Sequence, residues 1–144
     1  MATYVGALAA AGGLAKLLDR DPRYDSTLDL AVLAGATFKA ARTIARDDVT
    51  SFVRAPFVEG EAGSGAEEEP KQTGGMEQAI GELVTCTRCV GTWAAAGLTA
   101  TQILAPRFGR MLTWSLAAAA ANDFLQAGFA ALAHKSNALE ERVG

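Results

Sequence analysis

The residues best suited to carry chemistry are Cys86 and Cys89, the only cysteines in a chain of 144 residues. Their Cys-x-x-Cys spacing is compatible with a redox pair, with two ligands of a metal ion, or with small side chains packed at a helix start. At a helix N-terminus a thiolate is stabilised by the positive end of the helix dipole, and Arg88 would add to this effect. No βαβ pattern surrounds the pair, which argues against a thioredoxin-like domain.

These two residues alone supply too few ligands for a metal ion. Tetrahedral zinc takes four ligands, and the single histidine, His134, lies 45 residues beyond Cys89. A complete zinc site would need a second copy of the chain or a partner, so we assign no metal and no cofactor. The redox and structural interpretations of the two cysteines both stay open.

A second group of candidates is charged and flanks a segment rich in Gly and Glu. The group comprises Arg42, Arg46, Asp47, Asp48, Arg54, Glu82 and Arg88. One hypothesis is an anchor at a membrane surface with internal ion pairs. The other is that an Asp and an Arg from residues 42–54 pair with Glu82 or Arg88 and close a polar site around the cysteines.

Asn122 and Asp123 interrupt the last apolar run of the chain. If that run crosses a membrane, both side chains should face the interior of a helix bundle, because polar groups are costly in lipid. We expect them to point toward Arg88 or toward Thr101 and Gln102. An interhelical hydrogen bond is the plainer interpretation, and an ion or proton path the more specific one.

Apolar patterning and breakers predict an all-α fold with three regions. Residues 1–58 hold the N-terminal helices and a basic amphipathic segment, 59–75 form a flexible acidic linker, and 76–144 form a helical hairpin that begins at the cysteines and ends in a polar tail. The predicted elements are helices at 3–18 and 28–45, a surface segment at 47–57, and apolar runs at 83–105 and 111–133 with a polar turn at 106–110.

Composition favours a membrane protein over a nucleic-acid-binding one. Hydrophobic residues make up 50% of the chain and charged residues 20%, and the net charge of −3 offers no basic face for nucleic acid. The two runs are each long enough to cross a bilayer and rich in the small residues that helices in lipid pack with. We therefore expect about three spanning helices plus a short N-terminal helix; the alternative is a soluble, alanine-rich helical bundle.

Basic residues give an orientation. They are more numerous around the linker and the C-terminus than on the opposite side, so the positive-inside rule places the linker and the C-terminus in the cytoplasm. The cation set on that side is Lys39, Arg42, Arg46, Arg54, Lys71, Lys135 and Arg142, and the opposite set is Arg20, Arg23, Arg107 and Arg110.

Two blocks of the sequence resemble a known family. Residues 36–57 carry a helix that ends in basic residues, an Asp and the element Arg54-Ala55-Pro56-Phe57; residues 81–93 carry Glu-Leu followed by Cys-x-x-Cys-x-Gly-x-Trp. Together they resemble the DUF1360 family of small, uncharacterised bacterial membrane proteins. The chain departs from the family pattern at the Ala within Arg-Ala-Pro, and the acidic linker resembles an insertion. The resemblance implies a membrane architecture and supplies no activity.

The functional expectation follows from this combination. No Ser-His-Asp set, phosphate-binding glycine loop or pair of catalytic carboxylates is visible in the sequence. We expect a non-enzymatic protein of the bacterial cell membrane that acts as a structural or accessory subunit of a homo- or hetero-oligomeric assembly. The alternative is a thiol-redox membrane protein that uses Cys86 and Cys89.

Overall fold

Helices account for nearly all regular structure in the computed structural model, which describes residues 1–20, 26–60 and 68–143. The elements in chain order are α1 (Ala2–Leu17), α2 (Thr27–Arg46), a 3₁₀ turn (Asp48–Thr50), α3 (Ser51–Arg54), β1 (Val58–Glu59), β2 (Glu69–Pro70), α4 (Gly75–Thr85), α5 (Thr87–Leu104) and α6 (Pro106–Val143). The predicted all-α class is confirmed.

The start of α2 is fixed by a reciprocal cap. The Asp29 backbone N–H donates to Ser26 Oγ at 3.2 Å, and the Ser26 backbone N–H donates to Asp29 Oδ2 at 3.1 Å. This capping box satisfies two donors that would otherwise lack partners at a helix start. The Asp29 carboxylate also lies beside the positive end of the helix dipole, where a negative charge is favourable.

Three helices, α2, α5 and α6, pack together, and α1 lies against α5. A Cβ atom on Gly35 of α2 would lie 3.7 Å from Ala117 of α6, and one on Gly91 of α5 would lie 3.7 Å from Ala41. Small residues at these crossings allow the backbones to approach closely. Because Gly35 meets Ala117 and Lys39 meets Asp123 further along, α2 and α6 run parallel.

The hairpin connection places α5 antiparallel to both helices. The C-terminal end of α2, the N-terminal end of α5 and the second half of α6 therefore lie on one side of the bundle, which we call the linker side. The side chains enclosed by the bundle are mostly small; the fully or nearly buried set is Ala36, Ala41, Ala45, Val90, Leu98, Thr113 and Ala120.

Three predicted features of the C-terminal half differ from the structure. The apolar run 83–105 is divided at Cys86, whose extended backbone (φ −94°, ψ 102°) ends α4 and starts α5. The predicted polar turn and polar tail are helical, because α6 starts directly at Pro106 and continues to Val143. Proline is well suited to the first position of a helix, where its missing N–H removes no hydrogen bond.

The linker predicted at 59–75 is ordered at both ends. Val58 pairs with Pro70 and Glu59 with Glu69 in a short antiparallel ladder. Residues 61–67 lie outside the described part of the chain, and so do 21–25.

Among the described residues, one helix is long and apolar enough to cross a membrane, the stretch Pro106–Ala138 of α6. The predicted number of about three spanning helices is thus not confirmed by length and composition. The physical reason is visible in the sequences of the other two: α2 ends in cations, and α5 is dominated by Gly, Ala and Thr, which are only weakly apolar.

The α5–α6 hairpin depends on the absence of a side chain at Gly109. A Cβ atom there would lie 2.6 Å from the Cα and backbone N of Gln102 and 2.7 Å from the carbonyl carbon of Thr101. These are rigid backbone atoms, so the two helices would have to separate.

We expect Gly109→Ala to lower the free energy of unfolding by about 1–3 kcal/mol, as overpacking does. Gly97→Ala is the matched control in the same hairpin, because nothing lies within 4 Å of a Cβ at that position. The control should be neutral or stabilising, since alanine is the better helix former. Denaturant titration followed by circular dichroism would measure both; a stable Gly109→Ala would contradict this close approach.

Candidate functional site

Arg54 forms the centre of a polar cluster at the C-terminal end of α2. The single-turn helix α3 places its side chain beneath that end, where it is 1% exposed. Nη1 donates to the carbonyl oxygens of Ile44 (2.9 Å) and Asp47 (3.0 Å). A helix leaves its last carbonyls without intrahelical partners and carries partial negative charge there, so a guanidinium is a favourable cap.

The other edge of the Arg54 guanidinium binds a carboxylate. Nε donates to Glu68 Oε2 at 2.7 Å and Nη2 donates to Glu68 Oε1 at 3.0 Å, the bidentate geometry that makes such pairs strong. The Glu68 carboxylate raises the pKa of Arg54 above its already high ordinary value. Arg54 therefore remains charged and joins α2 to the far end of the linker.

Threonine hydroxyls complete the end of α2. Thr43 Oγ1 donates to Asp47 Oδ2 at 2.8 Å, and Thr50 Oγ1 accepts from Arg54 Nη1 at 2.9 Å. The Thr50 hydroxyl also contacts the carbonyl oxygens of Thr43 and Asp47. We call this set, Thr43, Asp47, Thr50, Arg54 and Glu68, the Arg54 cap.

The last part of the linker hydrogen-bonds to the segment that follows α3. The Lys71 backbone N–H donates to the Phe57 carbonyl at 3.1 Å, and Lys71 Nζ donates to the Pro56 carbonyl at 2.8 Å. Gly81 of α4 passes so close that a Cβ atom would lie 2.6 Å from the Phe57 carbonyl oxygen. The short segment 54–57 therefore contacts both the end of α2, through Arg54, and α4, through the Phe57 carbonyl.

The sequence-predicted charged cluster is only partly assembled. Arg54 and Asp47 lie in the Arg54 cap, whereas the remaining five are exposed: Arg42, Arg46, Asp48, Glu82 and Arg88. In the described part of the chain neither Glu82 nor Arg88 pairs with Arg54; Glu82 accepts from Gln78 Nε2 at 3.0 Å instead. The expected polar site around the cysteines is therefore replaced by a cap that points toward the linker.

Glu68 was not among the predicted site residues, because the sequence gives no reason to prefer it over its acidic neighbours. It lies in an acidic run of similar residues, and its role depends on the ladder that returns the linker to α3. The available signal was Arg54 itself, a cation placed just after the end of a helix.

Asp123 is paired across the bundle with a residue that the sequence did not suggest. Lys39 Nζ lies 2.9 Å from Asp123 Oδ2 and 3.8 Å from Asp47 Oδ2, so one ammonium joins α6 to the end of α2. The rings of Phe38 and Phe124 stack beside this pair with centroids 5.4 Å apart. The expected partners were wrong because α6 presents Asp123 to α2, while Asn122 is exposed.

The polar groups of the α5–α6 hairpin satisfy one another. Gln102 Nε2 donates to Thr113 Oγ1 at 2.9 Å, and that hydroxyl donates to the Gly109 carbonyl at 2.8 Å. Thr101 donates to the Gly97 carbonyl at 2.7 Å. Thr101 and Gln102 thus donate their hydrogen bonds to partners other than Asp123.

The two cysteines lie at the α4–α5 junction on the linker side. Cys86 is the N-cap of α5 and accepts the Cys89 backbone N–H at 3.3 Å through Sγ, and the two sulfur atoms are 2.6 Å apart. Hydrogen bonds from the Cys89 thiol and backbone N–H, with the Arg88 charge, lower the pKa of Cys86. Among the described residues no cluster of three or more potential metal ligands occurs, so the pair has no third ligand there.

These features define a class of protein: a small all-α bundle with mostly small residues inside, large apolar residues outside, and its described ion pairs on the linker side. A family model for DUF1360, described as a protein of unknown function, matches residues 32–129, and the chain belongs to this family. The matched segment contains the Arg54 cap, the cysteine pair and the Lys39–Asp123 contact. No curated protein and no solved structure matches the chain.

Removal of the Arg54 charge should be strongly destabilising. Arg54→Met leaves the Glu68 carboxylate, whose side chain is 12% exposed, without its bidentate partner. We expect a loss of about 3–5 kcal/mol, the usual cost of breaking a buried ion pair from one side.

Arg42→Met is the matched control, because Arg42 is exposed on α2 and should change stability by less than about 0.5 kcal/mol. The double variant Arg54→Met/Glu68→Met should recover part of the loss in chemical denaturation, because no charge is left buried. Equal effects for Arg54→Met and Arg42→Met would show that the cap does not stabilise the fold.

Proposed function

We propose that this protein is a multi-pass helical protein of the bacterial cell membrane, a structural or accessory subunit rather than an enzyme. In this proposal α2, α5 and α6 cross the bilayer, and the bundle associates with further copies or with a larger complex. The observation that carries the proposal is the distribution of side-chain size between the inside and the outside of the bundle.

The inside holds small residues and the outside holds large apolar ones. Ala36 is 0% exposed and Ala120 2%, whereas Phe129 is 76% exposed and Leu125 72%. In water this arrangement would forfeit most of the available hydrophobic stabilisation, at about 25 cal/mol for each Å² left exposed. In lipid the outer residues are solvated by acyl chains, and small interior residues allow close backbone packing.

Helix α6 shows the same feature most clearly. Only 6% of its most apolar 18-residue window is buried inside the protein. A core helix of a water-soluble protein with this composition would be mostly covered by other elements. At about 1.5 Å per residue the 38 residues of α6 extend for about 57 Å, which exceeds a hydrocarbon core of about 30 Å.

The other two helices have the length but less apolar character. The 20 residues of α2 extend for about 30 Å and the 18 residues of α5 for about 27 Å. Two of their polar side chains are directed to partners on α6: Lys39 of α2 to Asp123 at 2.9 Å, and Gln102 of α5 to Thr113 at 2.9 Å. Pairing of this kind is what allows charged residues to lie within a membrane bundle.

The bundle geometry supports the orientation with the linker in the cytoplasm. The linker side carries Arg42, Arg46, Arg54, Lys71 and Arg88, and the described cations at the other end include Arg20 before α2 and Arg107 and Arg110 beside the hairpin turn. Excess Lys and Arg on one side is typical of the cytoplasmic face. Because α6 runs parallel to α2, its extension beyond the bundle lies on the same side.

A further surface supports association with other helices. Ala118, Ala121 and Gly128 are exposed along one face of α6, with Leu125 between the last two, and nothing lies within 4 Å of a Cβ on Gly128. Small residues spaced in this way allow a second helix to approach closely in lipid. We propose that this face of α6 contacts a second copy of the chain or a partner helix.

The membrane proposal can be tested with the two native tryptophans. Trp93 and Trp114 are 38% and 41% exposed, so both indoles should contact lipid. The single-tryptophan variants Trp93→Phe and Trp114→Phe should each show strong quenching of the remaining tryptophan in vesicles of brominated lipid and none in matched vesicles of ordinary lipid. A chain that stays in the aqueous fraction without detergent, with unquenched tryptophans, would support the soluble bundle instead.

The assembly proposal needs a separate measurement. Light scattering in mild detergent should give a mass above that of the 14.9 kDa monomer. Gly128→Leu should shift the mass toward the monomer, because the larger side chain separates the helices. Ala130→Leu is the control, since two residues along an α-helix correspond to nearly opposite faces. A monomeric wild-type chain would reject self-association, and equal effects of the two variants would reject the α6 face.

A further inference from the structure

The turn that carries Cys86 and Cys89 is held on both sides. Upstream, α4 is positioned by the close approach of Gly81 to the Phe57 carbonyl, and Thr85 Oγ1 donates to the Gly81 carbonyl at 2.9 Å. Downstream, Val90 is 6% exposed and packs in a cluster with Ala41 and Ala45 of α2. The backbone between these anchors determines where the sulfur atoms lie.

The anchored turn brings the two thiols together while leaving them accessible. Their sulfur atoms are 2.6 Å apart, Cys86 is partly exposed and Cys89 is exposed. A disulfide needs a separation of about 2.05 Å, which is a small further approach. Among the described residues the pair has no third metal ligand, whereas a disulfide needs only these two side chains.

We propose that Cys86 and Cys89 are a redox-active dithiol that reduces a disulfide of a protein or small thiol compound at the membrane surface. The substrate class is a disulfide, and the product on this chain is an intramolecular Cys86–Cys89 disulfide. This activity does not depend on how the bundle assembles and would add a chemical function to a structural subunit.

The exchange proceeds in two balanced steps. The Cys86 thiolate attacks one sulfur of the substrate disulfide; a new S–S bond forms, the substrate bond breaks, and the first substrate thiolate leaves and takes up a proton. The Cys89 thiol then loses its proton and attacks Cys86 Sγ, which closes the Cys86–Cys89 bond and releases the second substrate thiolate. The substrate gains two electrons and two protons, and this chain loses them.

The assignment of Cys86 as the attacking residue follows from its position. It is the N-cap of α5 and its sulfur accepts the Cys89 backbone N–H, so a negative charge there is stabilised. The neighbouring Arg88 is exposed and adds positive charge, and the same surroundings lower the pKa of Cys86. Cys89 lies one turn along the helix, exposed and within reach of a mixed disulfide on Cys86.

The test uses the full chain in detergent micelles, equilibrated with reduced and oxidised glutathione at several ratios. After acid quenching, a maleimide reagent that adds mass to each free thiol counts the remaining thiols on a gel. We expect conversion from two free thiols to none within one chain, with an equilibrium constant that differs several-fold between the folded protein and the same chain in denaturant.

Two variants separate the roles. With oxidised glutathione at neutral pH, Cys89→Ser should accumulate a mixed disulfide on Cys86, and should form it several-fold faster than Cys86→Ser forms one on Cys89. Circular dichroism checks that both variants keep their helices. Four outcomes would each overturn the proposal: disulfides that form only between chains, thiols that stay free at every glutathione ratio, equal equilibrium constants for the folded and unfolded chain, or equal rates for the two variants. None of these outcomes would affect the membrane proposal.

Discussion

The end of α2 is the point at which the polar part of the structure is organised. Four backbone carbonyls at a helix C-terminus lack intrahelical partners and concentrate negative charge, so a cation from elsewhere in the chain is a favourable cap. Arg54 does so, and its two donating edges join the helix end to Glu68. Satisfying one helix terminus thus determines the path of α3, the return of the linker and, through Phe57 and Gly81, the start of α4.

The apolar part of the structure obeys a different constraint. The helices approach closely because Gly35, Ala41, Gly91 and Ala117 occupy their crossings, and this leaves little room for large side chains inside. Large residues then lie outside, where acyl chains would solvate them in the membrane arrangement that we propose. The same close approach allows Lys39 to reach both Asp123 on α6 and Asp47 at the end of α2, so that one ammonium joins the packed bundle to the Arg54 cap.

The sequence predicts the local features well and the pairings poorly. The start of α2 could be read from Ser26 and Asp29, because a capping box involves residues only three positions apart. The start of the hairpin at the cysteines was also predicted, but the separate helix α4 before Cys86 was not, because the apolar residues Leu83 and Val84 read as part of the following run. The partners of Arg54 and Asp123 lie on other elements. Lys39 reaches Asp123 because α2 and α6 pack in parallel, and no local sequence pattern specifies that packing.

Both ends of the acidic linker are fixed to the rest of the fold. Its ends are joined by the ladder of Val58 with Pro70 and Glu59 with Glu69, and by the Arg54–Glu68 ion pair. Closing a longer loop between fixed ends costs only about 0.6 kcal/mol for each doubling of its length, which is small beside the cost of breaking a buried ion pair. The length between these ends can therefore vary while the Arg54 cap stays in place. What cannot vary is the register that returns Glu68 to Arg54, since the same backbone also holds Gly81 and the cysteine turn that follows it.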